Sequence, residues 1–299
     1  MHLVSANAQH VGSRADQQDS FGFSDPGDSA FARHGGLVAV MCDGMGGLAH
    51  GRAASSLAVG TFLNAYAAKT EQEPVTAALE RAARQANAAV YEGALRVDAE
   101  GNMGTTLVAA AIRESLLDWV SVGDSALYLY RDGSLRLLTT AHVYGQDLDQ
   151  QAAQGQITTE EAIHHPDREA LTSYVGGEQI RLFDLSATPV ELRPGDRVVL
   201  SSDGLFRALN DEEIAAELPA APQQACDTLI RKTLAKQWEH QDNVTVLCVG
   251  LEEQAPLKVQ PPLPRRSRVF RVVSGLAAAA AAAAPFLLGR ARRPPPNQP

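Results

Sequence analysis

Apolar residues fall in short, nearly unbroken runs along the first 250 positions, and most runs stop at a turn built on Asp or Gly. GLVAVMCDG (36–44), TTLVAAAI, LLDWVSV, ALYLYRDG, RVVLSSDG (197–204) and NVTVLCVGL all have this form. Runs of this length bounded by turn residues predict buried strands. Arg131–Gly133 reads RDG and supplies hairpin turn chemistry between ALYLY and SLRLLT. Two stretches break the strand rhythm. From about His50 to Lys69, and from about Pro74 to Val97, the chain is rich in Ala and Leu with no proline inside, which predicts two helices. A polar helix is expected from about Gly145 to His164, and further helical segments flank Ala225. Consecutive strands with paired helices between them predict an α+β fold with layered packing, rather than a doubly wound parallel sheet. There is no internal repeat.

Composition changes this picture near residue 251. Up to Gly250 the chain is mixed α and β. Beyond it come Pro261, Pro262 and Pro264, an arginine cluster, an alanine run and a Pro-rich end. We therefore divide the chain into a catalytic domain at 1–250, a Pro/Arg-rich linker at 251–268, a single membrane-crossing helix at 269–290 and a tail at 291–299. Within that helix, Val272 to Gly289 gives eighteen residues without charge, flanked by arginines on both sides. The small arginine excess before it predicts a catalytic domain on the cytoplasmic side, anchored to the membrane. The competing reading is an alanine-rich soluble helix, because eight alanines add little insertion energy.

Of the 299 residues 45% are hydrophobic, ample for a large core, and the net charge is −9. So acidic a chain argues against nucleic-acid partners, which need basic patches. Cys42, Cys226 and Cys248 show neither CxxC pairing nor zinc spacing, so a disulfide framework is not expected. The opening MHLVSANAQHVGS lacks the basic and apolar regions of a signal peptide.

The candidate chemistry sits at strand ends. Asp43 in CDGMGG, Asp203 in SSDG, Asp242 in QDNVTV and Asp124 in VGDS each adjoin a predicted strand. One Asp-Gly is usually only a turn. Four such carboxylates can converge on one sheet edge, and an all-oxygen cluster suits Mg²⁺ or Mn²⁺. Gly44, Gly46 and Gly47 allow a tight turn and a close approach to an ion. DGMGG is neither a Walker loop nor a dinucleotide fingerprint, and no GxSxG elbow occurs. Arg14, in VGSRADQQDS, can grip phosphate through two parallel hydrogen bonds.

In order, the chain carries SRADQQDS, VMCDGMGG, MGTTLVAA, VGDSALYLY, LTTAHVYGQ, QGQITTEEAIHHPDREALTSYVGG, LRPGDRVVLSSDGLF and QDNVTVLCV. This series, over residues 5 to 250, closely resembles the bacterial branch of the metal-dependent (type 2C, PPM) protein serine/threonine phosphatases. The resemblance implies a four-layer αββα sandwich, two antiparallel sheets flanked by helix pairs. It implies hydrolysis of phosphoserine and phosphothreonine in proteins by a hydroxide bridging two Mn²⁺ or Mg²⁺ ions. Asp43 would bridge the ions, the Gly44 carbonyl would hold one, and Asp203 and Asp242 would hold the other. Asp124 matches an aspartate for a weaker third ion. Arg14 matches the phosphate-binding arginine, and Gln18, Asp19 and Asn243 match residues that support the site. Cys42 is then core, its thiol pKa raised by apolar neighbours. Phosphoproteins are the expected partners, with a cognate serine/threonine kinase among them, and a monomer is expected.

Two positions depart from the family pattern. Met45 stands where animal members often carry a histidine. The bacterial branch typically reads LTxDHS where this chain reads LTTAHVY, so Ala141 replaces an aspartate at the start of the flap, about 142 to 170. Asp147 and Asp149 lie close enough in sequence to compensate. The Ala141 change also motivates an alternative, a non-catalytic relative acting as a membrane-tethered phosphoprotein scaffold.

Overall fold

Within single strands the chain sends alternate apolar residues to two different layers, and this sets the architecture. A computed structural model describes residues 2–25, 27–45 and 50–252. In order these form β1 (His2–His10), β2 (Asp19–Phe23), α1 (Ser29–Gly35), β3 (Leu37–Asp43), α2 (Gly51–Ala67), α3 (Val75–Arg96), β4 (Leu107–Arg113), β5 (Leu116–Val122), β6 (Ala126–Arg131) and β7 (Ser134–Leu137). There follow α4 (Tyr144–Ala153), α5 (Thr159–Ile163), β8 (Asp184–Leu185), β9 (Val190–Glu191), β10 (Arg197–Ser201), α6 (Asp203–Phe206), α7 (Asp211–Ala215), α8 (Pro222–Ala235) and β11 (Val244–Glu252). One sheet runs β1-β11-β10-β6-β7 and the other β2-β3-β4-β5-β8, with β9 also on β5, and every described pairing of these strands is antiparallel.

Three apolar layers fill the spaces. Ala39, Met41, Val108 and Leu117 of one sheet meet Leu127, Val198, Leu200, Leu247 and Val249 of the other. The alternate residues of β3, Val38, Val40 and Cys42, pack with α2 and α3 through Ala58, Phe62, Leu79 and Ala83. The alternate residues of the second sheet, Val199, Val246 and Cys248, pack with α8 through Ala225, Cys226 and Leu229. This is the expected α+β sandwich of two antiparallel sheets covered by helices. Both faces of the central strands are buried, which is why they read as continuous apolar runs rather than alternating ones.

The structure differs from the sequence reading in several places, and β2, β8, β9 and α1 have no counterpart in that reading. The single helix expected over 145–164 is two, α4 and α5, parted at Gly155, whose φ is +71°. Thr158 restarts the helix through a capping box with Glu161. β1 was not expected at all; it is an edge strand whose exposed face is polar. β11 runs to Glu252, two residues past the expected boundary. Among the described residues no helix is long and apolar enough to cross a membrane. The span placed at 269–290, the tail at 291–299 and the linker beyond Glu252 lie outside the described residues, as do Gly46 and Gly47.

Candidate active site

The expected carboxylates do converge. Asp43 closes β3, Asp124 follows β5, Asp203 opens α6 directly after β10, and Asp242 precedes β11. All four line one cavity of about 460 Å³, together with Thr106, Met45, Leu171, Tyr174, Glu169 and Arg207. Asp19 stands behind them, opposite Asp43 in the β2–β3 register.

The local sequence fixes each of these side chains. Thr106 Oγ1 accepts from the Asp43 N–H at 2.9 Å, and Thr105 Oγ1 donates to the Asp43 carbonyl at 2.7 Å. The Gly44 N–H donates to the Gln18 carbonyl at 3.2 Å. A Cβ on Gly44 would stand 2.7 Å from that carbonyl and collide with the backbone of Gly51, so only glycine fits there. Asn243 holds the loop of Arg14 to β11. Its Oδ1 accepts from the Gln18 N–H at 2.6 Å, and its Nδ2 donates to the Val11 and Asp16 carbonyls at 2.8 and 3.0 Å. Ser13 N–H donates to the Gln241 carbonyl at 2.9 Å, closing the same loop. The supporting roles expected for Gln18 and Asn243 are thus backbone-fixing ones.

Arg14 does meet the cluster. Its Nε and Nη2 donate to the two carboxylate oxygens of Asp242 at 2.9 and 2.7 Å, a forked pair. Asp203 is paired with Arg207 through one oxygen only, with Nε at 2.9 Å from Oδ2. Among the described residues, no three acidic, His or Cys side chains are gathered in one closed ligand shell. The carboxylates share a cavity while two of them rest on guanidinium groups.

Buried negative charge raises the proton affinity of this cluster. Burial pushes the Asp19 carboxyl up to about 6, although Thr245 and Ser202 donate to its Oδ2 at 2.7 and 2.9 Å. Burial, then the neighbouring Asp19 and Asp203 charges, raises Asp43 well above the carboxylate range. Asp124 is pushed up to about 6, by burial and then by Asp203. Asp203 is also raised by burial, partly offset by Arg207. One oxygen of Asp19 and one of Asp203 are buried with no hydrogen-bond partner. Partnerless buried carboxylate oxygens carry a desolvation penalty that a cation relieves. An all-oxygen donor set with excess negative charge fits a hard divalent cation. Cys42 is fully buried and its thiol is raised by burial, so it is core as expected.

At the flap the sequence reading is corrected. Neither nearby aspartate replaces the carboxylate missing at Ala141. Asp149 forms a forked pair with Arg168, both contacts at 2.8 Å, and Asp147 lies in the first turn of α4. Asp184 of β8 instead accepts from the Thr140 N–H at 2.6 Å. His142 keeps its place: its Nδ1 accepts from the Gly123 N–H at 3.1 Å and its own N–H donates to the Gly123 carbonyl at 2.9 Å. That pair fixes the backbone next to Asp124. Arg207, Glu169, Thr106 and Tyr174 were not foreseen.

A family model described as Protein phosphatase 2C matches residues 7–241. This chain belongs to the protein phosphatase 2C family. Among curated relatives of this phosphatase 2C chain, the serine/threonine protein phosphatase PstP of Mycobacterium tuberculosis is 36% identical over 242 residues. That match covers 79% of this chain and 44% of PstP, so the chain spans less than half of that relative. A putative protein phosphatase 2C-type of Streptococcus pyogenes is 32% identical, with 74% of this chain and 89% of that protein covered. The crystal structure of the PstP catalytic domain in complex with two manganese ions superposes with a TM-score of 0.66 at 30% identity, covering 84% of this chain and 99% of that one.

Proposed function

We propose that this chain hydrolyses phosphoserine and phosphothreonine in proteins, with two Mn²⁺ or Mg²⁺ ions as cofactors. The observation that carries the reading is the convergence of Asp43, Asp124, Asp203 and Asp242 on one cavity, with Arg14 at its edge. Asp43, at the end of β3, would serve both ions, with the Gly44 carbonyl holding one and Asp203 and Asp242 the other. Asp124, its backbone held through His142, is assigned to a weaker third ion. The two manganese ions in the PstP catalytic domain support a two-ion reading. When bound, such ions lower the pKa of water and offset charge on a phosphoryl group. Arg14 already forks onto Asp242, and the same fork suits two phosphoryl oxygens. Asp19 stays buried and fixes Ser202 and Thr245, the residues beside Asp203 and within β11.

The purified chain is expected to release phosphate from phosphoserine or phosphothreonine peptides with Mn²⁺, and EDTA should abolish release. No turnover with either Mn²⁺ or Mg²⁺ would sink the reading. The scaffold alternative is disfavoured because Arg14 and the whole acidic set are retained.

We further infer that the uncharged, arginine-flanked stretch at 272–289 tethers the phosphatase to a membrane, its catalytic domain on the cytoplasmic side. Expressed from its own sequence, the chain should sediment with membranes and be released by detergent but not by salt. Recovery in the soluble fraction counts against the tether.

A further inference from the structure

We propose that Arg207 is a displaceable counter-ion, which leaves Asp203 for Glu169 when a cation takes Asp203, and so couples cation loading to the order of the flap. The inference rests on the metal-dependent reading above.

Arg207 lies one turn beyond Asp203, at the end of α6, on the cavity wall. Its Nε is 2.9 Å from Asp203 Oδ2, while its Nη2 is 3.6 Å from Glu169 Oε2. The guanidinium is therefore placed between two carboxylates and committed to one. The two carboxylates differ in setting. The Asp203 side chain is 13% exposed and that of Glu169 65% exposed. Asp203 has a second oxygen that is buried and without a partner. Arg207 engages Oδ2, so a cation that takes the other oxygen does not compete with it for the same atom. Once it does, two positive charges share one carboxylate, and the weaker, movable one is repelled. Glu169 is next to it, and closing 3.6 Å to charge-assisted hydrogen-bond length needs a shift of roughly 1 Å.

Glu169 is no free surface side chain. The carbonyls of its neighbours Arg168 and Ala170 accept from the Gly145 and Tyr144 N–H groups, at 2.7 and 2.8 Å. Arg168 also pairs with Asp149 of α4. A pull on Glu169 therefore acts on the base of α4 through the backbone. A merely structural i,i+4 ion pair, half-exposed on the arginine side, would have little energetic consequence. Such a pair predicts no link between Glu169 and the cation.

Coupling of this kind is reciprocal, so the two variants must move cation affinity in opposite directions. Calorimetric titration of MnCl₂ into the full chain should show Arg207→Ala binding Mn²⁺ about tenfold more tightly than wild type. Glu169→Gln, which removes the alternative partner, should bind about threefold more weakly, and should have no effect when added to Arg207→Ala. Hydrogen exchange supplies the second readout: Mn²⁺ should slow amides at 144–170 in wild type and in neither variant. Unchanged affinity in Arg207→Ala, or Glu169→Gln acting equally in both backgrounds, overturns the proposal while wild type still binds Mn²⁺. Failure of wild type to bind Mn²⁺ overturns the metal-dependent reading, and this proposal with it.

Discussion

Asp43→Asn is expected to remove activity and, in EDTA, to raise the melting temperature. Both effects follow from one carboxylate. Asp43 is half-buried, its carboxyl raised by loss of solvent around it and by the charges of Asp19, Asp203 and Asp124. In the proposed function it serves both ions. Losing it forfeits several kcal/mol of charge stabilisation, about a 10³-fold fall in kcat/KM at ~1.4 kcal/mol per decade. Without metal the same charge is a liability. A carboxyl whose folded pKa is raised binds its proton more tightly when folded, so it contributes stability at low pH. That contribution is lost as pH rises from the unfolded value of about 3.9 through the folded one. The neutral asparagine escapes the loss. Its melting temperature at pH 7.5 should exceed wild type by about 2–4 °C, roughly 1 kcal/mol for a domain of this size. The gain should shrink as pH is lowered toward the unfolded carboxyl value of about 3.9, because a proton then neutralises Asp43 itself. A variant less stable than wild type at pH 7.5 in EDTA, or one keeping a tenth of the activity, contradicts this account of the site.

Arg14→Ala should separate phosphate recognition from cation binding. The fork of Arg14 on Asp242 holds a side chain that remains half exposed, 47% for Arg14 against 34% for Asp242. An exposed pair of this kind contributes little stability, so the fold should survive its loss. Recognition of a phosphoryl group by a fork depends on two charge-assisted hydrogen bonds, each about 1.5–3 kcal/mol. Removing them should lower kcat/KM on a phosphopeptide by about 10²-fold, mostly through KM, while calorimetric Mn²⁺ affinity stays within a few-fold of wild type. Arg14→Lys should recover only part, because a lysine offers a point charge in place of the planar fork. The opposite pattern, lost Mn²⁺ binding with KM unchanged, would make Arg14 a prop for Asp242 and nothing more.

What was legible in the sequence follows from how each element is buried. LVAVMCD and VTVLCVG stand out because both faces of those strands are covered. β1 does not, because HLVSANAQH has one covered edge and a largely exposed polar face, so its pattern resembles a loop. α2 and α3 were found by their alanine content, while the break at Gly155 was hidden by the polar helical residues on both sides of it. The four aspartates were visible because the chain must turn at strand ends, and turns there favour Asp-Gly. Arg207 and Glu169 carried no such mark. They lie 38 positions apart in the numbering, and only the return of the flap over α6 brings them together. Asp184 was equally hidden, reaching Thr140 from a two-residue strand. The Thr140 N–H beside Ala141 is met by a carboxylate from the other sheet, 44 positions away in the numbering.

The pairing of β1 with β11 along the whole of both strands joins the first described residues to the last. Arg14 and Asp19 follow the His10–Val244 end of this pairing on one strand, and Asp242 and Asn243 precede the same end on the other. A nascent chain with two hundred residues translated already contains Arg14, Asp43 and Asp124, yet it lacks the strand against which the loop of Arg14 is pinned. Contacts this distant in sequence also form late and slowly. A truncation ahead of Gln241 should therefore be inert on phosphopeptides however well its first helices fold.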